Sequence, residues 1–326
     1  MKAIASKLGL GRVALYAWHR PLGLIKSSML EGGPIEQVKT ERGRRRMVEA
    51  AALLPEQEEK PDTFGAKISF LSGRKYWYQT LFCFVSLQMH LPYKVTPIVF
   101  DDGSFDDETR QHMYRTIPWI KFVGIEEIEA RLDRQLPVTE FPSLRARRLE
   151  YPHLKKFTDI HVGQTGWGLV FDSDMLFYKA PDEISRWFRA PEAIYMQDIH
   201  DAYGYSSGLL MELLGEPILP LVNAGLYGLH REKIDWNRFE HWCSQQILKE
   251  GKNYLQEQGL TALELTKQQA TPLSAERYRL MPDLNEGSSP TATLHHFVAN
   301  SKRSYFQSGW KRVYASVTET SSATQN

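Results

Sequence analysis

The sequence predicts an α/β protein with a largely parallel β-sheet flanked by helices. From about residue 67 onward, short apolar segments alternate with patterns of helical periodicity. Two of the apolar segments, 95–100 and 167–171, end directly in acidic residues. Ligands of parallel sheets bind at the carboxyl ends of the strands, so this edge is expected to carry the functional site.

Each predicted strand leads through a polar turn toward a helix. Residues 76–90 place apolar side chains on neighbouring helical turns, whereas 167–171 (WGLVF) is apolar throughout, as in a strand buried on both faces. The predicted elements, in chain order, are strand 67–72, helix 76–90, strand 95–100, helix 106–116, strand 120–123, helix 143–160 and strand 167–171.

The composition is that of an ordinary globular protein. Of the 326 residues, 42% are hydrophobic and 24% are charged, which argues against a disordered or membrane-spanning chain. The formal net charge of +1 provides no global field for a polyanion, so we expect no nucleic-acid partner. The two cysteines, Cys83 and Cys243, lack the spacing of a metal site or a disulfide scaffold, which favours a reducing cytoplasm.

Three regions are expected along the chain. Residues 1–63 form an N-terminal helical extension and linker, 64–313 the main domain, and 314–326 a disordered Ser/Thr-rich tail. The basic, amphipathic stretch 1–28 lacks an apolar run long enough to cross a membrane. It could lie on the inner face of the membrane as a peripheral contact, or it could pack on the protein's own core.

An acidic pair follows the predicted strand 167–171. In extended backbone, Asp172 and Asp174 point the same way, so both carboxylates can bind one hard cation. A solvated surface turn is the alternative explanation. The apolar residues on both sides of the pair favour the metal site.

This pattern resembles the DxD motif of GT-A glycosyltransferases, and the segments after it are most similar to glycogenin-like and lipopolysaccharide galactosyltransferase-like families. The resemblance covers about residues 66–312. It implies a GT-A fold and a metal-dependent hexosyltransferase that uses a nucleotide-sugar donor, with a UDP-sugar favoured. The acceptor would be a carbohydrate or another hydroxyl compound. Asp172 and Asp174 would bind Mn²⁺ or Mg²⁺ at the donor's diphosphate.

The same families place a histidine before an aromatic residue near the end of the domain. His296 precedes Phe297 in this sequence and is the third candidate metal ligand, with His295 as the less favoured neighbour. An imidazole ligand favours Mn²⁺ over Mg²⁺. Lys302 follows a few residues later, where it could stabilise the charge that develops on the leaving diphosphate.

Candidate contacts to the nucleotide lie at the ends of two earlier strands and on the basic helix. Asp101 and Asp102 resemble the acidic turn that binds the uracil or ribose of a donor, and Ser72 should lie beside them. Lys155 and Lys156 resemble the basic helix that reaches the donor in related enzymes. An ordinary turn and a solvated helix face are the alternatives.

Candidate catalytic residues come from later segments. Asn223 lies in an Asn-Ala-Gly strand, and Glu257-Gln258 resembles the acidic-Gln pair beneath the reactive sugar, although these families usually have Asp in place of Glu257. The resemblance favours retention, with Gln258 or Asn223 near the anomeric carbon. Inversion would instead require a general base such as Glu257 or Asp198.

Two other classes of protein compete with this interpretation. Phosphatases of the haloacid dehalogenase type also begin from Asp-x-Asp after an apolar strand, and Asp172 would then be the nucleophile. The mid-chain position of the motif and Leu176, where those enzymes have Thr or Val, argue against that class. A non-catalytic sugar-binding relative would have lost metal ligands, whereas Asp172, Asp174 and His296 are all present.

Overall fold

The protein is described by a computed structural model covering residues 32–324. Apolar strands and amphipathic helices alternate through most of this range, as the sequence periodicity predicts. The strands are β1 (Ala66–Ser72), β2 (Val95–Asp101), β3 (Lys121–Val123), β4 (Trp167–Phe171), β5 (Met175–Phe177), β6 (Ile194–Gln197), β7 (Val222–His230), β8 (Thr271–Pro272), β9 (Tyr278–Leu280) and β10 (Leu294–His296).

Helices occupy most of the connections between these strands. Polar caps explain several of their starts, since Asp106, Ser206 and Asp235 each accept a backbone N–H three residues ahead. The α-helices are α1 (Pro34–Ala51), α2 (Trp77–Met89), α3 (Asp107–Thr116), α4 (Ile125–Gln135), α5 (Pro142–Glu150), α6 (Leu154–His161), α7 (Asp182–Arg189), α8 (Ser207–Leu214), α9 (Trp236–Glu250), α10 (Gln256–Lys267), α11 (Leu284–Ser288), α12 (Lys302–Ser304) and α13 (Trp310–Thr324).

Within residues 32–324, seven strands form the main sheet in the order β3-β2-β1-β4-β7-β6-β8. β1 pairs in parallel with β2 and β4, and β2 pairs in parallel with β3. β7 is antiparallel to both β4 and β6, while β6 and β8 are parallel. In this part of the chain, β7 is thus the one strand reversed relative to the other six, which confirms the predicted α/β class and largely parallel sheet.

A small second sheet lies against the end of β4. It has the order β5-β10-β9, with β10 antiparallel to β5 and parallel to β9. Only three residues, 172–174, connect β4 to β5. This short connection places the Asp-x-Asp motif where the two sheets meet.

Apolar side chains cover both faces of the main sheet. Neighbouring residues of β4 point to opposite faces: Phe171 joins the layer that contains Phe82, whereas Val170 joins the layer that contains Phe157. The rings of Phe157 and Phe239 stack with centroids 4.3 Å apart. Burial on both faces explains why β4 is apolar along its whole length.

The predicted basic helix 143–160 is two helices, α5 and α6. Tyr151 ends α5 in an extended conformation, directly before Pro152. A proline disfavours helical backbone in the residue before it, so the chain turns at this point. The break separates the arginines of α5 from the lysines of α6.

The predictions for the two ends of the chain have different outcomes. The predicted amphipathic segment 1–28 lies outside the described residues, and no helix among residues 32–324 is long and apolar enough to cross a membrane. The expected disorder of 314–326 is wrong as far as Thr324, because α13 continues to that residue. Val313 and Val317, one helical turn apart, are buried and hold the helix on the core.

The division of the chain at residue 64 stays a prediction.

We expect Trp310→Ala to lower the free energy of unfolding by roughly 3–5 kcal/mol, the usual cost of removing a buried aromatic side chain. Trp310 is buried at the start of α13, with its ring 5.6 Å from that of Phe82. Urea denaturation measures the change. The exposed neighbour Lys311 is the control, and Lys311→Ala should alter stability by no more than about 0.5 kcal/mol. Equal stability of the two variants would contradict the packing of α13.

Candidate metal and donor site

Two carboxylates and one imidazole converge where the two sheets meet. Asp172 and Asp174 lie between β4 and β5, and His296 ends β10, opposite Met175 of β5. His296 Nε2 is 3.1 Å from Asp174 Oδ1 and 3.7 Å from Asp172 Oδ2. One ligand atom from each of the three residues lies within 4.8 Å of the other two. The structure therefore brings together the three metal ligands predicted from the sequence.

A glycine of β7 makes room for this convergence. The Gly225 carbonyl accepts the backbone N–H of Asp172 at 2.7 Å, which anchors the start of the motif. A Cβ atom on Gly225 would lie 2.2 Å from Cε1 of His296, far inside van der Waals contact. Only glycine therefore allows the imidazole to occupy this position.

The two adjacent histidines face opposite ways because strand side chains alternate. His296 faces the aspartates. Nε2 of His295 is 2.8 Å from Glu286 Oε1, and its ring packs against Tyr178 with centroids 4.9 Å apart. His295 therefore belongs to the protein interior rather than to the metal ligands.

Two lysines balance the charge of the aspartates. Lys302 Nζ donates to Asp174 Oδ2 at 2.5 Å, and Lys156 Nζ donates to Asp172 Oδ1 at 3.0 Å. Burial opposes ionisation of Asp174, but Lys302 and His296 outweigh it and hold the pKa of Asp174 well below its usual range. Asp174 is therefore ionised. The set of carboxylate oxygens and imidazole nitrogen fits a divalent cation such as Mn²⁺.

These charged groups line a cavity of about 350 Å³. Its lining combines Lys156, Lys302 and both aspartates with Leu71, Tyr76 and Pro152. A ligand that combines anionic groups with a flat, weakly polar ring matches this mixture of charged and less polar side chains. Sequence reasoning missed Tyr76 and His153, which also line the cavity, because neither belongs to a charged motif.

The acidic turn after β2 contributes unequally to the cavity. Asp101 is buried, where one carboxylate oxygen accepts Arg110 at 2.6 Å and the other accepts the backbone N–H groups of Gly103 and Ser104. These hydrogen bonds hold the turn together and occupy both oxygens of the Asp101 carboxylate. Asp102 lines the cavity, and its Oδ1 accepts from Ser104.

Two other residues that were expected to contact the nucleotide-sugar donor, Ser72 and Lys155, form hydrogen bonds within the protein. Ser72 is buried, with its hydroxyl 2.7 Å from that of Thr80, which in turn is 2.8 Å from the hydroxyl of Ser173. Lys155 donates to the carbonyl oxygen of Asp102 at 2.8 Å. Both side chains therefore support the loops of the site. Lys156, the neighbour of Lys155 on α6, instead lines the cavity.

Three of the predicted catalytic residues form one hydrogen-bonded cluster. The side-chain amides of Asn223 and Gln258 both donate to Asp198 Oδ2, at 2.9 and 3.1 Å. Asn223 Oδ1 accepts the backbone N–H of Gly225 at 3.0 Å. Because Gly225 also packs against His296, this cluster adjoins the candidate metal ligands.

Glu257, the fourth predicted catalytic residue, reaches the site through a lysine. Its Oε1 is 3.5 Å from Lys156 Nζ, and Lys156 in turn binds Asp172. Burial raises the pKa of Glu257 to about 7, against the opposing effect of Lys156. Burial disfavours the ammonium of Lys156, but Asp172 and Glu257 outweigh this and raise its pKa. Lys156 therefore stays charged between two carboxyl groups.

Solved structures with distantly similar folds include glycosyltransferases. Mouse xyloside xylosyltransferase 1 is 11% identical, with a TM-score of 0.47 over 73% of this chain and 98% of its own. The galactosyltransferase LgtC, solved with donor and acceptor sugar analogues, is 14% identical, with a TM-score of 0.46 over 78% of this chain and 95% of its own. The glycosyltransferase GlyE of Streptococcus pneumoniae is 11% identical, with a TM-score of 0.43 over 78% of this chain and 64% of its own.

The sequence itself matches no family model, and no curated protein is significantly similar to it. The chemistry of the site is therefore argued from the side chains of this chain.

We expect Gly225→Ala to displace His296 from the aspartates, because the added methyl group would lie 2.2 Å from the imidazole. The affinity for Mn²⁺ should fall by roughly tenfold or more, in the range usual for a disturbed metal site. Calorimetric titration with Mn²⁺ measures the change. Gly208 of α8, where an added Cβ meets no atom within 4 Å, is the control position. Unchanged affinity in Gly225→Ala would contradict the close packing.

Proposed function

We propose that the protein is a metal-dependent glycosyltransferase that moves a sugar from a nucleotide-diphosphate sugar to a hydroxyl acceptor. The observation that carries this proposal is the convergence of Asp172, Asp174 and His296 beside a cavity that two lysines also line. A divalent cation together with two lysines suits the negatively charged diphosphate of a nucleotide sugar. A UDP-sugar is the favoured donor, and a hexose the favoured sugar.

The proposed chemistry follows from the charges around the cavity. Departure of the nucleotide places negative charge on the outer phosphate, and Lys302 and Lys156 are positioned to stabilise that charge. A divalent cation held by Asp172, Asp174 and His296 would supply further electrostatic stabilisation of the diphosphate. In this scheme the protein chiefly binds the leaving group and orients the sugar.

The cluster of Asp198, Asn223 and Gln258 would face the reacting sugar. Its amides fix the carboxylate of Asp198, so that the remaining lone pairs have a defined direction. We favour retention, in which the leaving phosphate takes the acceptor proton and these residues orient the sugar. In an inverting reaction Asp198 would be the more accessible general base, because Glu257 is buried against Lys156.

The two adjacent histidines provide a matched test of the metal site. We expect His296→Ala to lower the affinity for UDP in the presence of Mn²⁺ by roughly 10- to 100-fold, because it removes a metal ligand. His295→Ala should leave this affinity within about threefold of the wild type, since its imidazole contacts Glu286. Calorimetric titration of UDP with and without Mn²⁺ measures both effects.

Two results would contradict the assignment of His296. Equal loss of affinity in both variants would mean that neither imidazole is specifically a ligand. Wild-type protein whose affinity for UDP does not depend on Mn²⁺ would remove the metal site from the proposal.

A screen of donor hydrolysis with UDP-, GDP- and CMP-sugars then identifies the nucleotide.

Glu257→Gln tests whether Glu257 holds Lys156 or acts as a base. If Glu257 holds Lys156, the change should weaken donor binding by about tenfold and lower turnover as well, because Lys156 loses one of its two carboxylates. Steady-state kinetics with the donor varied separate the two effects. Glu264→Gln is the control, because Glu264 is also buried on α10 but contacts Arg238 instead.

A different result would support general-base catalysis. Turnover lowered by roughly 10²- to 10⁴-fold with donor affinity unchanged would assign that role to Glu257. NMR of the first-formed anomer gives an independent answer, because the proposed retention requires the product to keep the anomeric configuration of the donor.

A further inference from the structure

We propose that helix α1 belongs to the donor-binding apparatus, with Glu36 as a positioning residue that sets the orientation of Lys302. This inference rests on the proposed function, because it concerns the lysine assigned to the diphosphate. The sequence predicts that α1 belongs to an extension outside the main domain. The contacts of α1 connect it to the segment that carries Lys302.

The carboxylate of Glu36 binds both sides of that segment. Arg303, the neighbour of Lys302, is 2.8 Å from Glu36 Oε2 through its NH2 group. The side-chain amide of Gln307 donates to the same oxygen at 3.1 Å and to the hydroxyl of Thr40 at 3.0 Å. Glu36 is largely shielded from water, with 16% of its side chain exposed. A charge-assisted contact in such a place constrains geometry more than an exposed ion pair does.

A second contact brings the backbone of α1 against the same segment. A Cβ atom on Gly43 would lie 2.1 Å from the carbonyl oxygen of Phe306, so the two backbones meet without an intervening side chain. Glycine inside a helix costs about 0.5–1 kcal/mol relative to alanine, and this close approach explains its presence. Phe306 lies in a π-helical turn, Tyr305–Gly309, that separates α12 from α13.

The segment itself is irregular, so its geometry depends on outside contacts. Ala299 has a φ of 46°, a left-handed conformation that is unfavourable for alanine. Short 3₁₀, α and π turns then follow one another from Ala299 to Gly309. Such short turns hold a side chain less firmly than a long regular helix. The path from His296 to Lys302 therefore lacks a rigid element of its own.

Lys302 also lies between two cavities. It lines the donor cavity, and it lines a second cavity of about 320 Å³ enclosed by α1 and residues 299–306. A lysine side chain between two openings has alternative directions available to it. The ion pair of Glu36 with Arg303 fixes the backbone beneath Lys302 and so favours the direction toward Asp174.

The test compares UDP with UMP as probes, in the presence of Mn²⁺, by calorimetric titration of the full chain. Glu36→Ala should weaken UDP binding by about tenfold, a usual size for coupling between connected residues. UMP binding should change by less than about twofold, because Lys302 is assigned to the diphosphate. A general loss of structure would weaken both ligands alike. If the alanine variant unfolds, Glu36→Gln keeps the volume and should produce a smaller change in the same direction.

A double-mutant cycle shows whether Glu36 acts through Lys302. Lys302→Ala alone should weaken UDP binding, and adding Glu36→Ala to that variant should weaken it no further. Glu49→Ala is the matched control, because Glu49 lies on the same helix but is exposed and does not line the second cavity. It should bind UDP as the wild type does.

The outcomes separate this inference from the proposed function. Wild-type protein that binds no UDP in the presence of Mn²⁺ would overturn the proposed function, and this inference with it. Wild-type binding that is weakened by Lys302→Ala but not by Glu36→Ala would overturn the positioning role alone. Additive losses in the double variant would also overturn it, because Glu36 would then act independently of Lys302.

Discussion

The placement of two carboxylates two residues apart in a tight connection is the constraint on which the site depends. Asp172 and Asp174 would repel each other if their charges were unbalanced. Two separate elements supply the balance, Lys156 from α6 and Lys302 from α12, while His296 of β10 hydrogen-bonds to Asp174. Each element must be held against the core with enough precision to keep these contacts. The organisation of the two sheets serves this requirement.

The reversed strand β7 has a central part in that organisation. It lies beside β4, so its Gly225 binds the backbone of Asp172 and leaves space for His296. From the same strand, Asn223 reaches Asp198. A larger residue at position 225 or an altered register of β7 would disturb the candidate metal ligands and the cluster of Asp198, Asn223 and Gln258 together. The Asn-Ala-Gly sequence therefore meets two requirements of this strand: Asn223 binds Asp198, and Gly225 leaves space for His296.

Sequence reasoning predicted the parts of the structure that depend on local periodicity. Strand alternation placed Asp172 and Asp174 on one side, and it distinguishes His296 from His295 in the structure. The sequence could not show the role of Asp101, because Arg110, which binds its carboxylate, lies on another element. The helical C-terminus was missed for a related reason: its Ser/Thr-rich composition suggested disorder, whereas burial of Val317 stabilises the helix. Tertiary contacts thus determine what composition alone leaves open.

The buried pairing of Lys156 has a consequence for how the site accepts a cation. Lys156 lies between Asp172 and Glu257, so its positive charge is shared by two carboxyl groups. A dication at Asp172 would compete with Lys156 for that carboxylate and would repel its ammonium group. Glu257 offers the ammonium a second partner within the protein, so Lys156 can stay charged and buried when Asp172 is engaged elsewhere. Lys156 thus connects the buried Glu257, whose pKa is raised by burial, to the carboxylate of Asp172.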